Sequence, residues 1–218
     1  MELQSLKLRL ETPSDYRAVE TLTREAFWNH HGPGCEEHYL AHILRNAEAF
    51  IPELDIVAEW NGAIVGNIMY TKAAIALDAG GTTPVISFGP VSVLPEFQRQ
   101  GVGKALILHT LGLAARMGFT AVLIYGDPAY YSRVGLVAAE QYGIATEGNQ
   151  YHGALQAYEL QPGALSNARG RFVESADFQL TPADVEAYDR NFPWKEKISG
   201  TPSQKRFLET VAMCRPRV

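Results

Sequence analysis

The 218-residue sequence has little of what marks secreted, membrane or metal-binding proteins. It holds two cysteines, Cys35 and Cys214, whose separation suggests neither zinc-ligand spacing nor a disulfide framework. No apolar run approaches the roughly 18 residues of a membrane span, and the first residues lack the apolar centre of a secretion signal. We therefore expect a cytoplasmic protein with no metal site and no membrane partner.

Basic charge is also scarce. Nineteen lysines and arginines stand against 24 aspartates and glutamates, which gives a net charge of −5, and no long basic run occurs. This balance argues against general nucleic-acid binding. Hydrophobic residues make up 46% of the chain, which is enough for a full core.

The first half of the chain alternates between strand and helix patterns. Leu6 to Leu10 alternate with polar residues and predict a half-buried strand. Residues 12–15, Thr-Pro-Ser-Asp, suit a helix start with Thr12 as the cap, and residues 36–50 predict a second helix. Asn61-Gly62 predicts a tight hairpin turn between two strands. In the later strand VISFGPVSVL, Gly89-Pro90 predicts a bulge or an exposed edge.

The second half continues the same way. An apolar helix is expected from Gly101 to Met117, followed by a buried strand in FTAVLIYG and a short helix or turn in DPAYYSRVGL. Two more strands are expected near 137–142 and 154–160. Together these elements predict a mixed, mostly antiparallel α/β sheet with helices on both faces. Four phenylalanines and one tryptophan after 163 are too many for a free tail, so we expect residues 163–218 to pack on the domain formed by 1–162.

The segment LPEFQRQGVGKAL, residues 94–106, places two glycines at a helix start, where each costs about 1 kcal/mol relative to alanine. A helix N-terminus carries unpaired N–H groups and attracts anions, above all phosphates. The segment lacks the third glycine of the dinucleotide fingerprint and the spacing of a P-loop, so a nucleotide-dependent oxidoreductase is disfavoured. Close helix–sheet packing is the alternative explanation of the two glycines.

Residues 98–103, Gln-Arg-Gln-Gly-Val-Gly, match the pattern Q/R-x-x-G-x-G/A directly after a strand. The segments GPVSVLPEFQRQGVGKALI, AVLIYGDP and YYSRVGL follow in the order and spacing of the GNAT superfamily of N-acetyltransferases, which residues 5–160 resemble. The run GDPAYYSR further resembles a bacterial subgroup of predicted acetyltransferases with a GDPxYY motif.

The resemblance implies the GNAT, or acyl-CoA N-acyltransferase, fold and acetyl-CoA as co-substrate. The implied binding groups are the backbone of Val91, Ser92 and Val93 for pantetheine, and for pyrophosphate the N–H groups of Gln98, Arg99, Gln100, Gly101, Val102, Gly103 and Lys104. Tyr131, four residues before Gly135-Leu136, takes the place of the general acid that protonates the thiolate, with Tyr130 as the fallback.

The general base is not legible in the sequence. Five residues in the first two helices and their loop are candidates: Glu25, His30, His31, His38 and His42. Deprotonation of the amine through water is an equally open alternative. Leu136 replaces a usual phenylalanine, and Asn67 stands where a histidine is expected in the subgroup.

The function implied is transfer of an acetyl group from acetyl-CoA to a small-molecule amine or a protein amino group. A non-catalytic acyl-CoA-binding or sensor module is the alternative. Acidic residues in the first helices have two explanations: they attract a cationic amine, or they only form the solvated faces of these helices. Superfamily members often dimerise, and the aromatic-rich segment 172–207 suits a homodimer interface or the cover of a sheet edge.

Overall fold

The main sheet of the protein is nine-stranded and mostly antiparallel, as the resemblance predicts. A computed structural model describes residues 5–217. Strands in this sheet run in the order β1-β2-β3-β4-β5-β9-β6, while β10 pairs with both β3 and β7; β8 and β11 form a separate pair. The strands are β1 (Lys7–Leu10), β2 (Ile56–Trp60), β3 (Ala63–Leu77), β4 (Thr82–Val93), β5 (Ala121–Tyr125), β6 (Val137–Ala138), β7 (Ile144–Ala145), β8 (Gln150–His152), β9 (Leu155–Glu159), β10 (Gly170–Val173) and β11 (Cys214–Pro216).

Helices cover both faces of the sheet, which confirms the expected layers. On one face, Val102, Leu106 and Ile107 pack with Ile68 and Tyr70 of β3. On the opposite face, the second helix packs against Met69, the residue between those two, because successive strand side chains point to opposite faces. The helices are α1 (Tyr16–Phe27), α2 (Glu37–Leu44), α3 (Val102–Arg116), α4 (Pro128–Tyr131), α5 (Pro182–Asp189) and α6 (Pro202–Val211).

The turn between β2 and β3 is the predicted hairpin. Asn61 has φ 50° and Gly62 has φ 79°, both in the left-handed region that a two-residue hairpin turn requires. A bulge at Val65 then shifts the pairing, because Glu59 lies opposite Ile64 but Ala58 lies opposite Gly66. The turn and this bulge together set which side chains of β3 face each side of the sheet.

A bulge interrupts β4 at Gly89-Pro90, as the sequence predicts. Tyr70 of β3 lies opposite Phe88, but Ile68 lies opposite Val91, so β4 carries one extra residue between those pairs. The strand is not an edge, because β3 and β5 flank it. Beyond the bulge β4 turns away from β5.

The parallel strands β4 and β5 meet at a single register point, Ile86 opposite Val122, and then diverge. We call the gap between their diverging ends the seam. The seam opens toward the start of α3 and the segment that follows β5.

Three sequence predictions have the wrong length or start. The second helix ends at Leu44 instead of 50, because residues 46–50 turn back and Phe50 bridges to Thr71. The strand expected at 137–142 is two residues long and gives way to a 3-10 helix, Ala139–Tyr142. The first helix begins at Tyr16, because the Asp15 carboxylate accepts hydrogen bonds from the backbone and hydroxyl of Thr12 and from Arg9.

The C-terminal segment contributes to both sheets. β10 pairs antiparallel with the end of β3, and β11 pairs with β8. Phe172 and Phe192 are buried, whereas Trp194 is 86% exposed and does not pack as its aromatic character predicts. None of the helices within residues 5–217 is long and apolar enough to cross a membrane.

Candidate active site

A cleft of about 440 Å³ lies at the seam. Its walls come from the end of α1, the end of β4, the loop before α3, the first turn of α3 and the segment that contains α4. Because the two strands part here, backbone that would otherwise pair within the sheet is accessible to an extended ligand.

The loop that leads into α3 is shaped to expose backbone N–H groups. Arg99 has φ 59° and Gly101, the N-cap residue, has φ 93°, so both lie in the left-handed region. No side chain of the described residues caps this helix start. Left-handed residues in such a turn direct backbone N–H groups into a concavity that binds anions, and the helix dipole adds to this preference.

The surroundings of Gly103, the second glycine of the motif, leave no room for a side chain. A β-carbon at this residue would lie 2.6 Å from the Tyr130 hydroxyl oxygen. Tyr130 therefore crosses the mouth of the cleft directly over the helix start. Any larger residue at 103 would displace that ring and fill the space in front of the backbone.

The structure brings eight of the predicted site residues to this cleft. The side chains of the remaining three are elsewhere: Ser92 donates to Thr23 Oγ1 at 2.9 Å, Val102 is in the core, and Gln100 donates to the carbonyl of Glu96 at 2.6 Å. The residues that line the cleft are Val91, Val93, Gln98, Arg99, Gly101, Gly103, Lys104 and Tyr131.

Three cationic side chains surround the cleft. Arg99 and Lys104 belong to the loop and the first turn of α3, and Arg133 follows α4 on the opposite wall. All three are exposed, so their charges meet an approaching ligand from the solvent. Sequence patterns did not single out Arg133, because it has no motif of its own.

Tyr131 lies at the inner end of the cleft. Its ring packs 5.8 Å from that of Phe88, next to the β4 bulge. A β-carbon on Gly126 would overlap the Tyr131 ring, so this glycine makes room for it. Burial, and secondarily Tyr130, raises the pKa of the Tyr131 phenol, so the hydroxyl stays protonated at neutral pH. Among the described residues the hydroxyl has no hydrogen-bond partner.

Of the five candidate bases, only His30 lines the cleft among the residues described. Burial and the neighbouring His31 lower the pKa of His30, which favours the neutral imidazole that can accept a proton. Three of the other four are engaged elsewhere: His31 with Glu37 at 2.6 Å, His42 with Glu20 at 3.0 Å, and Glu25 with Lys195 at 2.6 Å. The fourth, His38, is fully buried away from the cleft and lies 3.2 Å from Asp189 without a hydrogen bond among the described residues.

Asn67 does not belong to the cleft. It is fully buried and donates to the Asp55 carboxylate at 2.8 Å and to the carbonyl of Ile56 at 3.2 Å. Its amide nitrogen therefore belongs to a buried polar cluster, while its amide oxygen has no hydrogen-bond partner among the described residues. No set of three or more His, Cys, Asp or Glu side chains in residues 5–217 is arranged to hold a metal ion.

Curated relatives of the chain are N-acetyltransferases. The chain is 24% identical over 163 residues to the uncharacterized N-acetyltransferase YhbS of Escherichia coli K12. This alignment covers 75% of the chain and 92% of YhbS. It is 34% identical over 123 residues to the uncharacterized N-acetyltransferase YjhQ of the same strain. This alignment covers 56% of the chain and 62% of YjhQ.

Solved structures share the fold. The crystal structure of Escherichia coli YhbS in complex with CoA aligns with a TM-score of 0.71 at 24% identity, over 80% of this chain and 92% of YhbS. A GNAT family acetyltransferase from Brucella melitensis in complex with acetyl-CoA aligns with a TM-score of 0.65 at 26% identity, over 80% of this chain and 98% of that one.

The family profile described as an acetyltransferase (GNAT) domain matches residues 7–139. This range includes the diverging strands, the glycine turn and Tyr131, and it covers more than half of the chain. The protein is therefore an acetyltransferase of the GNAT family.

Proposed function

We propose that the protein transfers the acetyl group of acetyl-CoA to a primary amine by direct attack, with Tyr131 as general acid. The observation that carries this proposal is that the seam, the glycine-shaped start of α3 and Tyr131 meet in one cleft. The complexes of YhbS with CoA and of the Brucella melitensis protein with acetyl-CoA support the choice of co-substrate.

In this proposal the cofactor follows the seam. Backbone of residues 91–93 pairs with the pantetheine amides, and the N–H groups of residues 98–104 hold the pyrophosphate. Arg99, Lys104 and Arg133 add positive charge, which favours a polyphosphate ligand in a protein whose net charge is −5. The catalytic unit then comprises residues 1–162, and residues 163–218 are an added segment.

The chemical step needs a neutral amine and a protonated leaving group. The amine nitrogen attacks the thioester carbonyl carbon, the C–N bond forms, and the C–S bond breaks as the tetrahedral intermediate collapses. Tyr131 gives its proton to the departing sulfur. The proton lost by the amine goes to His30, which is the candidate base that lines the cleft within residues 5–217.

Calorimetric titration with acetyl-CoA, with NADH as the control, tests the first half of the proposal. We expect micromolar binding of acetyl-CoA and no NADH signal. An amine panel monitored by thiol release then tests for turnover. Binding without turnover of any amine would favour the sensor module, and absence of binding would refute the cofactor assignment.

Tyr131→Phe tests the acid. We expect acetyl-CoA affinity to stay within threefold of wild type and kcat to fall by about 100-fold, the scale of a lost general acid. Tyr39→Phe, on α2 and outside the cleft, is the matched control. Unchanged turnover in Tyr131→Phe would remove the tyrosine from the mechanism.

A further inference from the structure

A second cavity of about 530 Å³ lies beside the cleft, and three of its lining residues, Tyr125, Gly126 and Asp127, belong to the segment AVLIYGDP. We infer that this cavity binds the acceptor, and that it takes a small monoamine with an aromatic or alkyl body. The inference rests on the proposed function, because it names the substrate class of that same reaction.

The C-terminal segment builds one wall of this cavity. Ser203, Arg206, Phe207, Thr210 and Val211, all on α6, line it. The other walls are the loop after α1, the end of β5 with the residues that follow, and the turn from β8 to β9. The cavity is therefore incomplete without residues that lie beyond the GNAT domain match at 7–139.

Specific hydrogen bonds hold this wall in place. Asn29, at φ 58° in the loop after α1, accepts through its carbonyl from Thr201 at 3.1 Å and from Gln204 at 3.2 Å. Its side chain accepts from the backbone N–H of Ile198 at 3.0 Å and donates to the carbonyl of Glu196 at 3.0 Å. At the other side, Arg206 donates to both carboxylate oxygens of Asp127, at 2.9 and 3.0 Å.

The cavity and the cleft meet at the chemical centre. His30 lines both of them. Gly126 lines the cavity, Tyr131 lines the cleft, and a β-carbon on Gly126 would overlap the Tyr131 ring. A molecule in the cavity therefore contacts His30, the proposed base, and Gly126, whose missing side chain leaves the Tyr131 ring close to the same wall.

The chemistry of the walls selects the body of the amine. Phe207, Val211, Tyr125 and Ala154 present a mainly apolar lining. Asp127 is the one carboxylate among the described lining residues, and Arg206 neutralises it. Burying a second ammonium group without a counter-ion is costly, so a polyamine or a lysine-rich peptide fits poorly. The volume is in the range of small-molecule pockets.

The acidic residues on the first helices do not compensate. Glu20 binds Arg45 and His42, Glu25 binds Lys195, and Glu37 binds His31. These three carboxylates are therefore committed within the fold, and the exposed Glu36 lines neither the cleft nor the cavity, so the group gives no support to a polycationic acceptor.

The test compares 2-phenylethylamine with spermidine on the full-length protein. We expect a KM for 2-phenylethylamine at least tenfold below that for spermidine in the thiol-release assay. Val211→Trp, which fills the cavity from a half-exposed position, should raise that KM at least tenfold with unchanged acetyl-CoA affinity. Leu208→Trp, on the outer face of the same helix, should behave as wild type.

A binding measurement separates this inference from the proposed function. Calorimetric titration of the CoA-saturated protein with 2-phenylethylamine should show a signal that Val211→Trp removes. If CoA binds but the amine does not, or if Val211→Trp leaves the amine's binding and KM unchanged, the cavity is not the acceptor site. Preference for spermidine overturns the substrate class. Amine binding without turnover supports the cavity and counts against the catalytic proposal alone.

Discussion

Glu174 offers a quantitative test of the environment around Tyr125, which lines the second cavity. It follows β10 directly, two residues after Phe172, whose buried ring is 5.9 Å from that of Tyr125. No hydrogen bond or ion pair within residues 5–217 compensates its carboxyl group. Burial therefore raises the pKa of Glu174 from 4.5 to about 7. Sequence reasoning gave no signal for this residue.

The sign of the pH effect follows from this shift. The folded protein holds the Glu174 proton up to about pH 7, whereas the unfolded chain loses it near pH 4.5. The contribution of Glu174 to stability is therefore most favourable below pH 4.5 and falls as the pH rises to 7. The full difference is about 3 kcal/mol, of which about 2.5 kcal/mol appears between pH 5 and pH 8.

Glu174→Gln removes the titration and keeps the shape of the side chain. We expect the variant to gain about 2.5 kcal/mol of unfolding free energy over wild type on going from pH 5 to pH 8. Urea unfolding followed by tryptophan fluorescence at both pH values measures this difference. Glu53→Gln, at an exposed carboxylate, is the control and should show no such gain. A difference between Glu174→Gln and wild type that stays constant within about 0.5 kcal/mol would refute the reasoning.

The remaining predictions concern the cleft. Gly101→Glu and Gly103→Glu should each abolish acetyl-CoA binding in calorimetry, because each adds bulk and like charge where the pyrophosphate is expected; micromolar affinity in both variants would refute the loop assignment. His30→Gln should lower kcat by about 100-fold and remove the acidic limb of the pH profile of kcat, since the imidazole must be neutral to accept the proton. His109→Gln, on the exposed face of α3, should keep both the rate and the limb, and an unchanged profile in His30→Gln would exclude His30 as the base.

Local signals in the sequence predict the backbone conformations that form the proposed donor cleft. Asn61-Gly62 determines a hairpin, Gly89-Pro90 a bulge, and Gly101 with Gly103 a helix start, because in each case the backbone conformation depends on few adjacent residues. The same holds for Tyr131, whose distance from Gly135 is a local spacing. These features are legible without any knowledge of tertiary contacts.

The cavity proposed for the acceptor depends on contacts that sequence patterns do not encode. The approach of α6 to Asp127 joins residues 79 positions apart, and Asn29 binds partners more than 160 positions away. The segment Thr201-Pro202-Ser203-Gln204 has the spacing of a capping box, which the structure forms, so the start of α6 was readable. The packing of α6 against the loop after α1 is not predictable from the sequence, because hydrophobic periodicity does not specify which surface a helix covers.

The seam between β4 and β5 has a consequence for the lifetime of the protein. Strands joined at one register point forgo ladder hydrogen bonds that a continuous sheet would have, so the empty protein is less stable than its fold permits. A ligand that binds in the seam of the folded protein raises the free energy of unfolding by mass action. At a ligand concentration 100 times its Kd, this increase is about 2.7 kcal/mol. If acetyl-CoA is this ligand, as proposed, proteolytic turnover of the protein slows when acetyl-CoA is plentiful, and the abundance of the protein follows the supply of acetyl-CoA.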